Sequence, residues 1–126
     1  MGIWVLGLLS GCISNVTGQW AGICNIPTAS YEANMDVFVE VFTDNGYDLE
    51  GQMTVSDWNG VSRTSSQFFG SRTGQYAELR GRFLSELGYY EMTLDVERQP
   101  GSLVGACAFT VPEGEGALLG DVELLR

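Results

Sequence analysis

Residues 89–109, YYEMTLDVERQPGSLVGACAF, show the fold most clearly. In the first half every second residue is apolar: Tyr90, Met92, Leu94 and Val96. This period of two is typical of a β-strand with one buried face. Gln99-Pro100-Gly101-Ser102 predicts a turn, because proline and glycine supply the backbone angles that turns need. The alternation then resumes at Leu103, Gly105, Cys107 and Phe109. The stretch therefore predicts a β-hairpin.

The same alternation continues through the rest of the chain. It places strands near residues 17–24, 35–43, 47–56, 61–69, 75–83, 89–98, 103–111 and 117–125. Asn45-Gly46 and Asn59-Gly60 predict tight hairpin turns, and residues 70–74 predict a loop. Eight short strands with short connections favour an all-β, up-and-down antiparallel barrel, because closure removes the exposed sheet edges. A β-sandwich is the alternative.

A small motif, an apolar residue followed two positions later by glycine, supports the barrel. It occurs at Trp20–Gly22, Leu49–Gly51, Leu79–Gly81, Leu103–Gly105 and Leu118–Gly120. Both residues of each motif lie on the same face of a strand. Inward glycines allow strands to coil tightly and leave room for large neighbours.

Composition excludes several classes of function. The chain has 126 residues, enough for one domain, with 6 basic and 16 acidic residues, no His and a net charge of -10. Such a polyanion is unsuited to a nucleic-acid backbone. The lack of His excludes His-centred triads and His-based metal sites. Ser65 and Ser66 have no base to activate them, and Glu91, Asp95 and Glu97 alternate outward. We expect a non-catalytic protein with no cofactor and no metal.

The N-terminus reads as an export signal. Residues 1–11 are uncharged and almost wholly apolar, but too short for a membrane-spanning helix. Leu9-Ser10-Gly11-Cys12 resembles the bacterial lipobox, although the stretch lacks a basic n-region. The resemblance implies a signal segment at 1–11 and a diacylated Cys12 with a tether at 12–16. The alternating strands then form a barrel domain at 17–126. The alternative is an ordinary first strand with Cys12 as a buried thiol.

Cys24 and Cys107 are the two remaining cysteines. In an exported domain of this size, two cysteines suggest one disulfide. Two separate buried thiols are the alternative.

Gly18-Gln19-Trp20 at the first strand, together with Arg126 at the end of the last, resembles the calycin superfamily of lipocalins and avidins. The strand from Gly18 to Cys24 also looks like the first strand of small bacterial lipoprotein barrels. The resemblance implies a buried Trp20 at one barrel end, with Arg126, or failing that Arg98, lying across it. Avidin's biotin-contacting residues are not recognisable, so the resemblance implies no biotin binding.

Aromatic residues near inferred strand ends are the only binding signal. They are Trp58, Phe68, Phe69, Tyr89 and Tyr90. They could line a ligand site at the barrel mouth, form a partner surface or cap the core. We therefore expect an envelope protein, lipid-anchored on the periplasmic or cell-surface side of a bacterial membrane. It would bind a small apolar ligand or an envelope partner. A structural lipoprotein with a filled barrel is the alternative, and an exported hydrolase is less favoured.

Overall fold

The structure, a computed structural model, describes residues 15–27, 32–56, 63–85, 88–110 and 117–126. Cys12, Trp58 and the Asn59-Gly60 turn lie outside these residues. The strands are β1 (Gly18–Pro27), β2 (Glu32–Asp44), β3 (Asp48–Ser56), β4 (Arg63–Thr73), β5 (Tyr76–Ser85), β6 (Gly88–Gln99), β7 (Ser102–Thr110) and β8 (Ala117–Leu125). Within these ranges there is no helix long and apolar enough to cross a membrane.

The eight strands form a closed antiparallel barrel. Each strand pairs with the next along the chain, and β8 pairs with β1 to complete the circle. The up-and-down barrel predicted from the alternation is confirmed, and the sandwich alternative is wrong. Every strand has a neighbour on both sides, so none is a free sheet edge along its whole length. The β4–β5 pairing is partial, because residues 63–67 of β4 and 82–85 of β5 have no partner across that seam.

One predicted loop belongs to a strand instead. Residues 70–73 continue β4, where Gly70 pairs with Leu49 on one side and Leu79 on the other. The turn is shorter and is formed at residues 74–75. The prediction failed because two glycines and an arginine suggested a loop, whereas Arg72 faces the barrel interior and is buried there.

The two ends of the barrel differ. Residues 15–17 lead into β1 at one end, here called the tether end, and Arg126 lies there after β8. Tight turns join strands at this end: residues 45–47, 74–75 and 100–101. Gly46 and Gly101 take positive φ values of 97° and 75° in these turns, as the turn motifs predicted. At the opposite end, the loop end, the connections are residues 28–31, 57–62, 86–87 and 111–116, outside the described chain.

The interior is filled with side chains. The largest fully buried ones are Trp20, Ile26, Met35, Leu49, Met53, Phe68, Leu79, Phe83, Met92, Leu94, Leu103 and Leu124. A barrel of eight strands is just wide enough for inward side chains to fill, or for one small ligand. Here the side chains occupy the space.

A disulfide joins β1 to β7 across the intervening strand β8. Cys24 and Cys107 are bonded, with their Cα atoms 6.1 Å apart. In a flat sheet, strands two apart are separated by about 9–10 Å, so the sheet bends sharply about β8. Gly120, the β8 partner of Cys107, allows this bend, because a Cβ there would collide with the main-chain oxygen of Asn25. The predicted disulfide is confirmed.

Trp20 fills the tether end and is 0% exposed. Its indole Nε1 donates a hydrogen bond to the Val16 carbonyl at 2.9 Å. The Arg126 guanidinium carbon lies 4.4 Å from the ring centroid, and that of Arg98 lies at 5.4 Å. The calycin resemblance implied the burial of Trp20 and the arginine across its ring, whereas the hydrogen bond to Val16 was not expected. A cation over an indole face is attracted by the ring's negative potential.

We predict that Trp20→Ala lowers the free energy of unfolding by about 3–5 kcal/mol, because the change removes buried area and leaves a cavity. That is a large part of the roughly 5–15 kcal/mol that stabilises a domain. Urea unfolding followed by circular dichroism measures it. The matched control is Phe69→Ala, an aromatic truncation at an exposed position. Equal small losses for the two variants would contradict a structural role for Trp20.

We also predict that the double variant Cys24→Ala/Cys107→Ala is less stable than the parent. The disulfide closes a loop with a sequence separation of 83 residues. Loss of such a cross-link costs up to about 4–5 kcal/mol in the chain-entropy model. Urea unfolding of both proteins measures the difference. An unchanged unfolding midpoint at equal slope would show that the bond adds nothing.

Candidate functional site

The candidate surfaces lie outside the barrel, because the interior is occupied. Two grooves open to solvent on the outer wall. One, of about 220 Å³, includes Ala21, Phe38, Asp36 and Arg63 in its lining. The other, of about 450 Å³, includes Tyr76, Glu78, Asp95 and Glu97. Most of the lining residues of both grooves are exposed or half-buried, so a ligand held in either one would rest against the wall.

The loop end of the interior is capped by three aromatic rings. The Tyr90 ring lies 5.3 Å from that of Phe83 and 4.9 Å from that of Phe109, measured between centroids. Tyr90 packs against the hydrophobic core and is only partly exposed. It therefore belongs to the core cap, one of the alternatives considered for these aromatics.

Phe68 is not part of any surface, which corrects the expectation that placed it among the ligand or partner residues. It is 0% exposed and lies within β4, paired with Gly51 and Gly81 rather than at a strand end. Its ring occupies the space beside Gly51, where an added Cβ would come within 2.6 Å of Phe68 Cε2. The polar residues before it on β4 concealed which of the two adjacent phenylalanines faces inward.

Phe69 and Tyr89 do face outward, with exposures of 58% and 47%. Leu84 of β5 is directly opposite Tyr89 of β6 and is 62% exposed. The Arg82 guanidinium carbon lies 4.7 Å from the centroid of the Tyr89 ring. We call Arg82, Leu84 and Tyr89 the outer patch. Phe69 is separate from it, because it lies opposite Arg80, four positions before Leu84 on β5. Arg82 and Leu84 were missed in the sequence, where only aromatic residues were considered.

An ion pair at the tether end was also missed. The side chains of Asp44 and Arg72 are both buried, and Asp44 Oδ1 lies 3.1 Å from Arg72 Nη2 and 3.1 Å from Nε. The same carboxylate accepts the main-chain N–H of Gly46 and that of Val16, both at 2.9 Å. Arg72 also donates to the Gly74 carbonyl at 2.7 Å. A buried ion pair is tolerated when hydrogen bonds satisfy its remaining atoms, as they do here.

Arg98 and Arg126 are held beside this pair by neutral groups. Arg98 Nη1 donates to the Gln99 carbonyl at 3.0 Å, and Arg126 Nη2 to the Asn15 carbonyl at 3.4 Å. Arg98 Nε is buried without a hydrogen-bond partner among the described residues. Burial lowers the pKa of the Arg98 guanidinium, and the positive charges of Arg126 and Arg72 lower it further. The group stays protonated, because an arginine does not lose its proton in proteins.

The described residues contain no group of three or more His, Cys, Asp or Glu that could hold a metal ion.

Comparison with known proteins identifies no relative. No protein-family model matches the chain, and no curated protein or solved structure matches it significantly.

Proposed function

We propose that this protein is a non-catalytic bacterial lipoprotein of the cell envelope, anchored through acyl chains on Cys12. Its calycin-like barrel acts as a rigid body that binds another envelope protein with its outer wall. The observation that carries the proposal is the filled interior. It leaves the outside of the barrel as the binding surface.

The packing of the core argues against an apolar ligand inside the barrel. Trp20, Met53 and Met92 are each 0% exposed and lie among other fully buried side chains. A ligand would have to displace side chains of this kind. Removing one large side chain from a core costs about 2–5 kcal/mol, which a small ligand would have to offset before binding.

The outer patch has the composition of an interface. Aromatic residues and arginine are enriched at the centres of protein–protein contacts, where they supply much of the binding energy. Leu84 and Tyr89 lie opposite each other and expose apolar surface, and Arg82 adds a cation stacked on Tyr89. Large exposed apolar side chains grouped in this way commonly mark a contact surface.

Two further observations support export and the lipid anchor. The Leu9-Ser10-Gly11-Cys12 sequence ends an apolar run. The disulfide between Cys24 and Cys107 is typical of a domain that folds in an oxidising compartment.

The stacking of Arg126 on Trp20 supports the interpretation of the barrel as calycin-like. A structural lipoprotein without a partner is the second candidate, since it too would have a filled interior.

We predict that Cys12 carries the lipid. Cells that express the chain behind a complete basic n-region, grown with a clickable fatty acid, should label the parent. Cys12→Ala should lose the label and leave the membrane fraction, because the thiol that would be acylated is absent. Cys24→Ala is the matched control and should keep its label, since it changes a cysteine of the barrel. Equal labelling of Cys12→Ala and the parent would refute the anchor.

We predict that the outer patch contacts an envelope protein. A photo-cross-linking residue at position 84 should form a discrete adduct in intact cells, whereas one at position 106, on the outer wall of β7, should not. Tyr89→Ser should reduce the adduct at position 84 by at least about 30-fold, the loss expected for a central interface residue worth 2 kcal/mol or more.

Two results would contradict this prediction. The first is an adduct at position 84 that Tyr89→Ser leaves unchanged. The second is a stoichiometric apolar compound in native mass spectra of the purified protein, which would favour a ligand-binding barrel. Absence of any adduct and any compound would favour the structural alternative.

A further inference from the structure

The attachment of residues 15–17 restricts how far the barrel can lie from the membrane. Val16 is buried, its N–H donates to Asp44 Oδ2 at 2.9 Å, and its carbonyl accepts from Trp20 Nε1 at 2.9 Å. The chain is therefore held against the barrel from Val16 onward. The distance between the barrel and a lipid on Cys12 is therefore spanned only by the residues before Val16.

The remaining tether is very short. Cys12 precedes Asn15 by three residues. A fully extended chain spans at most about 3.3–3.6 Å per residue, so Cys12 lies within about 10 Å of Asn15. If Cys12 carries acyl chains, they enter the bilayer within this distance of Asn15. The tether end of the barrel would then lie close to the headgroup region, and the loop end would face away from it.

Exposed apolar side chains surround this same end. They are Phe42 on β2, Tyr47 in the turn after it, Tyr76 at the start of β5 and Leu125 at the end of β8. Tyr47 is 76% exposed and Tyr76 is 64% exposed. The four residues come from strands spread around the barrel. They therefore encircle the tether end and are not confined to one side of the barrel.

We propose that the tether end is a membrane-docking surface, with Tyr47 and Tyr76 inserted into the headgroup region of the leaflet that holds the acyl chains. This inference rests on the proposed function, because it requires a lipid on Cys12. Tyrosine is favoured at membrane interfaces, since its ring is apolar and its hydroxyl can stay hydrated.

Arginine is concentrated at the tether end. Three of the chain's six basic residues lie there: Arg72, Arg98 and Arg126. Asp44 neutralises Arg72, whereas Arg98 and Arg126 donate to main-chain carbonyls. Acidic side chains also lie within two residues of the strand ends here: Asp48, Glu50, Glu78, Glu97 and Glu123. Charge therefore gives this end no advantage over the walls, and the short tether and the exposed tyrosines carry the proposal.

Depth measurements on the acylated protein test the proposal. The full chain is isolated from bacterial membranes as Tyr47→Cys or Tyr76→Cys, labelled with an environment-sensitive fluorophore, and placed in phosphatidylethanolamine–phosphatidylglycerol vesicles. The acylated Cys12 thiol and the disulfide do not react with the label. Tyr89→Cys is the matched control, because Tyr89 is also exposed but lies towards the loop end.

The expected result is a blue-shifted emission for the labels at 47 and 76, with at least twofold quenching by brominated lipid, and neither change for the label at 89. Intact-protein mass spectrometry checks the acyl chains in the same samples. Three equally water-exposed labels on a protein with acylated Cys12 would overturn the docking surface and leave the lipid anchor standing. An unmodified Cys12 would overturn the anchor, and the docking surface with it.

Discussion

Burial of Trp20 at the tether end is the interaction on which the rest of the structure depends. The indole fixes Val16 through a hydrogen bond, and Arg126 and Arg98 lie across its face. These contacts bring together the first described residues, the end of β8 and the end of β6. They therefore help to hold the barrel closed where β8 meets β1. They also cover the indole at the tether end, where Trp20 is 0% exposed.

Aromatic side chains pack at both ends of the described part of the barrel. Tyr90 packs between Phe83 and Phe109 at the loop end, as Trp20 does under the arginines at the tether end. Between these caps the interior is occupied by large apolar side chains. Binding at the wall or at the tether end needs no change in this packing, whereas binding inside would disrupt it. The fold thus presents two chemically different surfaces, the outer patch and the rim of the tether end.

Sequence alternation predicted the strands well where inward residues are apolar, as in β6 and β7. It failed at residues 70–73, because the inward residue there is the charged Arg72. A buried arginine is tolerated only beside a partner, and Asp44, which supplies the partner, lies 28 positions earlier. Neither Arg72 nor Asp44 indicates by its own position in the sequence that the two form an ion pair. In β4, polar residues precede the two phenylalanines on both faces of the strand. The sequence therefore did not show that Phe68 faces inward while Phe69 faces solvent.

Local pattern alone determined the all-β class and the number of strands. These features follow from the period of two and from glycine and proline at turns, which are local properties of the chain. The pairing of Cys24 with Cys107 was expected only together with export, and the buried position of Trp20 under an arginine was implied by the calycin resemblance. Only the tertiary structure decided that the interior is full, that Asp44 neutralises Arg72 and that Leu84 lies beside Tyr89. The tertiary structure also decided that Tyr47 and Tyr76 lie on different sides of the tether end. The physical reason is that these relations join residues on different strands, whose distances depend on barrel closure and on the close approach that glycines such as Gly120 permit.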